Sequence, residues 1–346
     1  MNHRVSFNLQ RRLEKRAKIL SVGTYLPTQI VKSDDLFEEI KSEQNYGIPT
    51  DFMSKGMGII ERRMSEDTAL PSALAIPAAR KALENCPGLN PDKIGLVIFT
   101  GIERDQPEPA TAHTVQNALG LKADNVFDVA NACLGFVDGV KIASKYITSG
   151  VVEYALVATG EVSTRVLRSF VSQLKAGVDI ETANKLIGGL SVGDAGGAVI
   201  MGLSKDSGFQ AFNNDADSSH IDKCIYRVRE DGSIDGQMLM ARILAQGIKM
   251  HRNAINNTLD ELGWDKFDWV LSHQTGRRNF EAFSKMPGIS EDRMIKTYER
   301  LGNTTTATLP LGWEILSKNG KVKPGDKIGG LFAGSGLATC QFGMYY

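Results

Sequence analysis

Three residues in this chain have the types that covalent nucleophilic catalysis uses. In "FDVANACLGF", Cys133 follows an apolar run and precedes a stretch of helical periodicity. A thiol in the first turn of a helix meets unpaired amides and the positive end of the helix dipole, both of which favour the reactive thiolate. "VLSHQTGRR" ends a strand-like run in His273, and "ERLGNTTTATLPLG" sets Asn303 after a glycine in a polar turn. Singly, each has a plain reading. The cysteine serves as a small buried hydrophobe, the histidine as a satisfied interior residue, and the asparagine as a cap or turn. Together, a thiol, an imidazole and an amide at strand ends and helix starts suit convergence on one pocket.

The elements that must position them follow a βαβ rhythm, which points to the α/β class. "IGLVIFTG" is a compact β-branched run of strand length, and "SALAIPAARKALENC" carries apolar residues at helical spacing. After "VFDVA", the segment "CLGFVDGVKIASKYITSG" keeps Leu134, Val137, Val140, Tyr146 and Ile147 near one helical face and stops at Gly150. The second half repeats the vocabulary. "MLMARILAQGIKMHRNAINNTLDELG" reads as a long helix, "FDWVLSHQTG" as a strand, and "DKIGGLFAGSGLATCQFGMYY" as two strands broken at glycines. Between the halves, the polar "SKDSGFQAFNNDADSSHIDK" reads as a connection or surface excursion. "GQMLMARILAQGIKM" and "RVLRSFVSQL" suit the lining of a flexible apolar channel, since methionines adapt to apolar chains, but helical spacing favours plain core, and no substrate contacts are assigned.

Composition narrows the function classes. Forty basic residues balance forty acidic ones, so no global field draws the chain to nucleic acid or an anionic membrane. The four cysteines, Cys86, Cys133, Cys224 and Cys340, stand far apart with no histidine at ligand spacing, which indicates neither a metal site nor a disulfide framework and suits a reducing cytoplasm. No apolar run reaches the roughly 18 residues of a membrane span. The stretch "MNHRVSFNLQRRLEKRAK" reads as a basic lead-in to the first strand. His113, His220 and His251 lack partners at diagnostic spacing and read as structural or exposed.

Taken in order, "GIIERR" at 58–63, "ANACLGF" around Cys133, "GDAGGAVI" at 193–200, "HQTGRR" at His273, "GNTTTATLP" at Asn303 and "GSGL" at 334–337 resemble the ketoacyl synthase III branch of the thiolase superfamily. The resemblance runs from about Ala17 to Tyr346 and is closest in motifs to OleA-type and pyrone-synthase-type members. It implies a five-layered α/β/α/β/α thiolase fold from two similar βαβαβαββ halves, 17–190 with the nucleophile and 191–346 with the histidine and asparagine, assembled as a homodimer. It also implies an acyltransferase without a cofactor, acting on acyl-coenzyme A or an acyl carrier protein. Cys133 would carry the acyl group, with the backbone amides of Cys133 and Ser335 as oxyanion donors. His273 and Asn303 would hold the enolate of a second thioester.

In "GIERDQPEPATAH", Glu108 stands where non-decarboxylative members carry a base that reaches the partner subunit's active site. Its plain reading is a solvated charge in a proline-rich loop. With Glu108 as base, the reaction is an OleA-like Claisen condensation of two acyl thioesters. Without it, the chain reads as a decarboxylative synthase using a malonyl carrier protein. A catalytically silent acyl-binding partner and an acyl transferase to a hydroxyl or amine are the other classes weighed. Arg278 matches a basic residue at the tunnel mouth, for a phosphopantetheine phosphate or an acidic carrier. Phe52 and Gly56 depart from the tryptophan and arginine that sandwich adenine in the initiating synthases.

Overall fold

The computed structural model describes residues 16–230 and 234–346. Most of the basic lead-in, residues 1–15, lies outside them, and the first strand starts at Arg16. Two sheets form the frame. The first has five strands in the order Arg16–Tyr25, Ala195–Ser204, Tyr154–Glu161, Ile94–Thr100 and Asn125–Val129. Ile94–Thr100 is parallel to both of its neighbours, with Ile98 opposite Phe127 and Val157. A strand flanked by parallel neighbours is covered on both faces, which is why it reads as an unbroken apolar run. The second sheet orders Trp269–Ser272, Lys327–Gly334, Ala338–Tyr345 and Gly208–Ala216.

Helices fill the space between the sheets and cover their outer faces, giving the five layers. The helices Gly135–Thr148 and Thr308–Lys318 make the central layer. Phe136, Val137, Val140, Leu309, Trp313 and Leu316 share one core cluster with Val157 and Val199 of the first sheet and Leu271, Ile328 and Phe342 of the second. On the outer face of the first sheet lie Pro71–Glu84 and Thr111–Leu119, through Ala75, Ala78, Ala82, Ala112 and Val115. On the far side of the second sheet, the long helix Met240–Leu262 and the helix Arg277–Ser284 pack Ile255, Leu259, Phe280 and Phe283 into a third cluster with Val270 and Leu331. The segment "RVLRSFVSQL" sits in this cluster as plain core, with Val166, Leu167, Phe170 and Leu174 buried.

One feature differs from the sequence reading. The polar "SKDSGFQAFNNDADSSHIDK" contains a full strand, Gly208–Ala216, paired antiparallel with Ala338–Tyr345. Phe209 and Phe212 anchor it on Phe342, with ring centroids 5.3 and 6.0 Å away, while its C-terminal end is exposed at the sheet edge and so carries polar residues. Ala195–Ser204 belongs to the first sheet, so the chain passes from the first sheet to the second at 205–207.

Glycines let the outer helix sit directly on the sheet. A Cβ on Gly160 would stand 1.8 Å from the carbonyl oxygen of Pro71, and one on Gly196 would stand 1.9 Å from that of Leu74. Both neighbours are backbone and cannot rotate away. Gly196→Ala is therefore expected to lower the unfolding free energy by about 3 kcal/mol or more, in the upper range for overpacking, as measured by urea denaturation. A loss near zero would mean that the helix does not sit this close.

Candidate active site

Cys133 occupies the turn between the strand Asn125–Val129 and the helix Gly135–Thr148. Ala132 adopts a left-handed φ of 46°, and the turn closes with Leu134 N–H donating to Asn131 O and Gly135 N–H to Ala132 O, each at 3.0 Å. From the opposite sheet, Gly334 lies against this turn, so that a Cβ there would be 2.9 Å from Asn131 O and 3.1 Å from Leu134 N. Gly334 of "GSGL" and Gly193 and Gly196 of "GDAGGAVI" thus serve close backbone packing. A Cβ on Gly193 would meet Leu301 O at 2.2 Å.

His273 directly follows the strand Trp269–Ser272, where its N–H donates to Leu331 O at 2.9 Å. Asn303 is clamped by backbone bonds, donating to Ser191 O at 2.8 Å and accepting from Gly193 N–H at 3.0 Å. Its Oδ1 accepts from Thr305 N–H at 3.0 Å, which leaves the amide's donor end for the cavity that Asn303 lines. Beneath this segment lies Arg62 of "GIIERR", wholly buried, donating to Leu190 O at 2.8 Å.

The structure brings Cys133, His273, Asn303 and Ser335 to one cavity of about 80 Å³. Its other walls come from the long helix Met240–Leu262 and from Met238, Cys224, Asn279 and Phe283. A wider outer cavity of about 460 Å³ shares Met238, Met240, Leu244 and Thr275 with it and carries Phe52, Arg242 and Arg278. Arg278 is exposed at this mouth. Glu108 does not line either cavity of its own chain. It is exposed on the loop 101–110, which is tied down by Asp105 N–H to Thr111 Oγ1 at 3.0 Å and Ser72 N–H to Asp105 Oδ1 at 2.9 Å.

Burial governs the titrating groups. It pushes the Cys133 thiol up, and the neighbouring Cys224 and Glu161 push the same way. The helix terminus alone suggested a ready thiolate, yet desolvation outweighs it and the resting group is the thiol. His273 is pushed down to about 4 by burial and His251 to about 3, so both are neutral imidazoles near pH 7. His273 Nδ1, His251 Nε2 and Asn279 Oδ1 have no hydrogen-bond partner among the described residues. A neutral imidazole and an amide donor beside a half-buried thiol can take up its proton and donate to an oxygen that gains charge.

Sequence reasoning missed three features here. The face of "GQMLMARILAQGIKM" that carries Met240, Leu244, Gly247 and Ile248 lines the cavity and is not plain core. Cys224 and His251 line it too, though neither had a signal at diagnostic spacing. The third is Glu161, at the end of a strand and 2% exposed. Its carboxyl accepts from Thr306 Oγ1 and from Ile102 N–H at 3.3 Å, and burial raises it to about 7.

Residues 127–218 match the family described as 3-oxoacyl-[acyl-carrier-protein] synthase III, and 259–342 match its C-terminal domain. The chain belongs to the ketoacyl synthase III branch of the thiolase superfamily. The beta-ketoacyl-[acyl-carrier-protein] synthase III of Escherichia coli is 28% identical to this synthase over 332 residues, covering 92% of this chain and 98% of its own. Among solved structures, a glutamate-to-aspartate variant of Xanthomonas campestris OleA superposes with a TM-score of 0.89 at 27% identity, covering 97% of this chain and 99% of that one. A cysteine-to-serine variant of the same OleA, with bound lauric acid and lauroyl-CoA, gives 0.88 at 28% identity over 96% and 99%. The synthase is an acyl-condensing enzyme, and it forms β-ketoacyl products by Claisen chemistry. Among its described residues no helix is long and apolar enough to cross a membrane, and no group of side chains could hold a metal ion.

Glu161 makes stability depend on pH in a defined direction. Its carboxyl is raised from 4.5 to about 7, so between these values the folded state holds a proton that the unfolded state has released. This contribution is lost as pH rises from about 4.5 to 7 and does not change further above. Glu161→Gln removes it, so the variant should gain on the wild type by on the order of 3 kcal/mol across that window, read by urea denaturation at fixed pH. Parallel curves would refute the buried-carboxyl assignment.

Proposed function

We propose that this synthase loads an acyl group on Cys133 and joins it to a second acyl thioester without decarboxylation, with Glu108 of the partner subunit as base. The observation that carries the reading is the cavity where Cys133, His273 and Asn303 meet. In the first step the Cys133 sulfur bonds to the thioester carbonyl carbon. The carbon–sulfur bond to the carrier breaks, and the thiol proton passes by way of neutral His273 to the departing carrier thiolate. Backbone amides of Cys133 and Ser335 hold the oxyanion.

In the second step Glu108 removes a Cα proton from a new acyl thioester, whose enolate oxygen accepts hydrogen bonds from His273 and Asn303. The enolate carbon attacks the acyl-Cys133 carbonyl, the cysteine sulfur leaves, and a β-ketoacyl thioester forms. All electrons come from the C–H bond, so this chemistry calls for no cofactor. The exposure of Glu108, away from its own chain's cavity on an anchored loop, supports donation across a homodimer. Lauroyl-CoA bound to the OleA relative supports acyl-coenzyme A as substrate. Arg278 at the outer mouth, with Arg242 nearby, would meet a phosphopantetheine phosphate or an acidic carrier.

The second reading is a decarboxylating synthase that takes a malonyl carrier protein. It is favoured by the likeness to the Escherichia coli enzyme along 92% of the chain. It keeps Cys133, His273 and Asn303 in the same roles and leaves Glu108 a loop charge.

Purified enzyme mixed with a long-chain acyl-coenzyme A alone should release free thiol and form a β-keto product. Carbon dioxide and product appearing only after addition of a malonyl carrier protein would establish the second reading. Glu108→Ala should leave the Cys133 adduct visible by mass spectrometry and slow condensation by about 10²-fold or more. His273→Ala and Asn303→Ala should each cost condensation about 10²- to 10³-fold. Full condensation in Glu108→Ala would remove the base from the scheme.

A further inference from the structure

Among the described glycines, Gly247 is the one that combines an ordinary helical φ with open space where a side chain would stand. Apart from its chain neighbours and its own helix backbone, no heavy atom lies within 4 Å of a Cβ built there. The other glycines with such open space have φ between +65° and +133° and sit where the backbone requires glycine. Gly247 sits inside the helix Met240–Leu262, where glycine is among the poorest helix formers, and it is buried. Neither a turn nor close packing accounts for it.

What lies over Gly247 is the cavity that also holds Cys133. Along the helix, Met240, Leu244, Gly247, Ile248 and His251 recur at three- and four-residue spacing and all line that cavity, so they form a single stripe facing it. The stripe is apolar from Met240 to Ile248, and its missing side chain falls midway. The methionines at 238 and 240, which join the inner cavity to the outer one, are adaptable neighbours for a flexible apolar chain.

We propose that Gly247 sets the acyl-chain length of this synthase. Its absent side chain is the opening through which an acyl group on Cys133 extends along the face of the helix. The inference rests on Cys133 being the acyl acceptor. It adds the residue that decides how long that acyl group is.

The test compares wild type, Gly247→Ala and Gly247→Leu, each mixed with acetyl-, octanoyl-, dodecanoyl- or hexadecanoyl-coenzyme A. The rate of adduct formation on Cys133 is followed by intact-protein mass spectrometry. The ratio of dodecanoyl to acetyl loading should fall by about tenfold or more in Gly247→Leu, and by less in Gly247→Ala. Gly247→Ala should melt no lower than wild type, since its methyl displaces no atom, and it carries the test if the leucine variant does not fold. An unchanged ratio in the variants overturns the proposal, as does a lower melting temperature in Gly247→Ala. Wild type that forms no adduct with any chain overturns the acyl-acceptor reading itself, and the proposal with it. That result is distinct from a wild-type adduct whose length profile ignores residue 247.

Discussion

Exclusion of water from the seam between the two sheets is the condition on which the rest of this site depends. A thiol, two imidazoles and a carboxyl lie there, all desolvated enough to be driven toward their neutral forms. A neutral site is cheap to bury, whereas the same groups ionised would each need a partner. The arrangement also suits the chemistry. Charge arises only during reaction, in a medium where fixed hydrogen-bond donors act more strongly than in water. The helix terminus next to Cys133 does not maintain a thiolate at rest, because burial outweighs it.

That dryness requires close approach of backbone to backbone. Gly334 brings the second sheet onto the turn that holds Cys133, and Gly193 brings its segment onto Leu301, two residues from Asn303. Glu161 connects two further pieces, the turn at Thr306 and the base of the loop at Ile102, through one buried carboxyl. Thr306 Oγ1 is also 2.5 Å from Thr159 Oγ1 on the same strand as Glu161. The Asn303–Thr306 segment and the loop bearing Glu108 are thereby referred to one sheet. Positioning of this kind is what a preorganised site needs, because movement of a donor by about 1 Å can cost about 10²-fold in rate.

The cavity wall has a different character. It is built from one face of a long helix in methionine, isoleucine and leucine, with a glycine at its centre. The polar groups are concentrated where bonds are made, and the apolar face runs away from them toward the outer mouth, where Arg242 and Arg278 stand. A chemically uniform wall accepts acyl groups by size and shape, so selectivity there is a matter of volume.

The sequence by itself determined the class of fold and the family, and it marked Cys133, His273 and Asn303 as the candidate trio, because each rests on local chemistry. Strand and helix periods are set within a few residues, and Cys133, His273 and Asn303 each stand in a motif whose turn can be read from its glycines and polar neighbours. It missed the strand Gly208–Ala216, whose polar residues reflect an exposed end at the sheet edge, because strand pairing is settled between distant segments. The side chains of Met240–Leu262 were equally opaque. A helical stripe has the same spacing whether it faces core or cavity, and only the packing around it distinguishes the two. Tertiary structure alone decided that Glu161 and His251 are buried beside the site, that Cys133 rests as a thiol, and that Gly247 opens onto empty space. Desolvation and volume depend on the atoms that crowd a group, and those atoms come from parts of the chain far away in sequence.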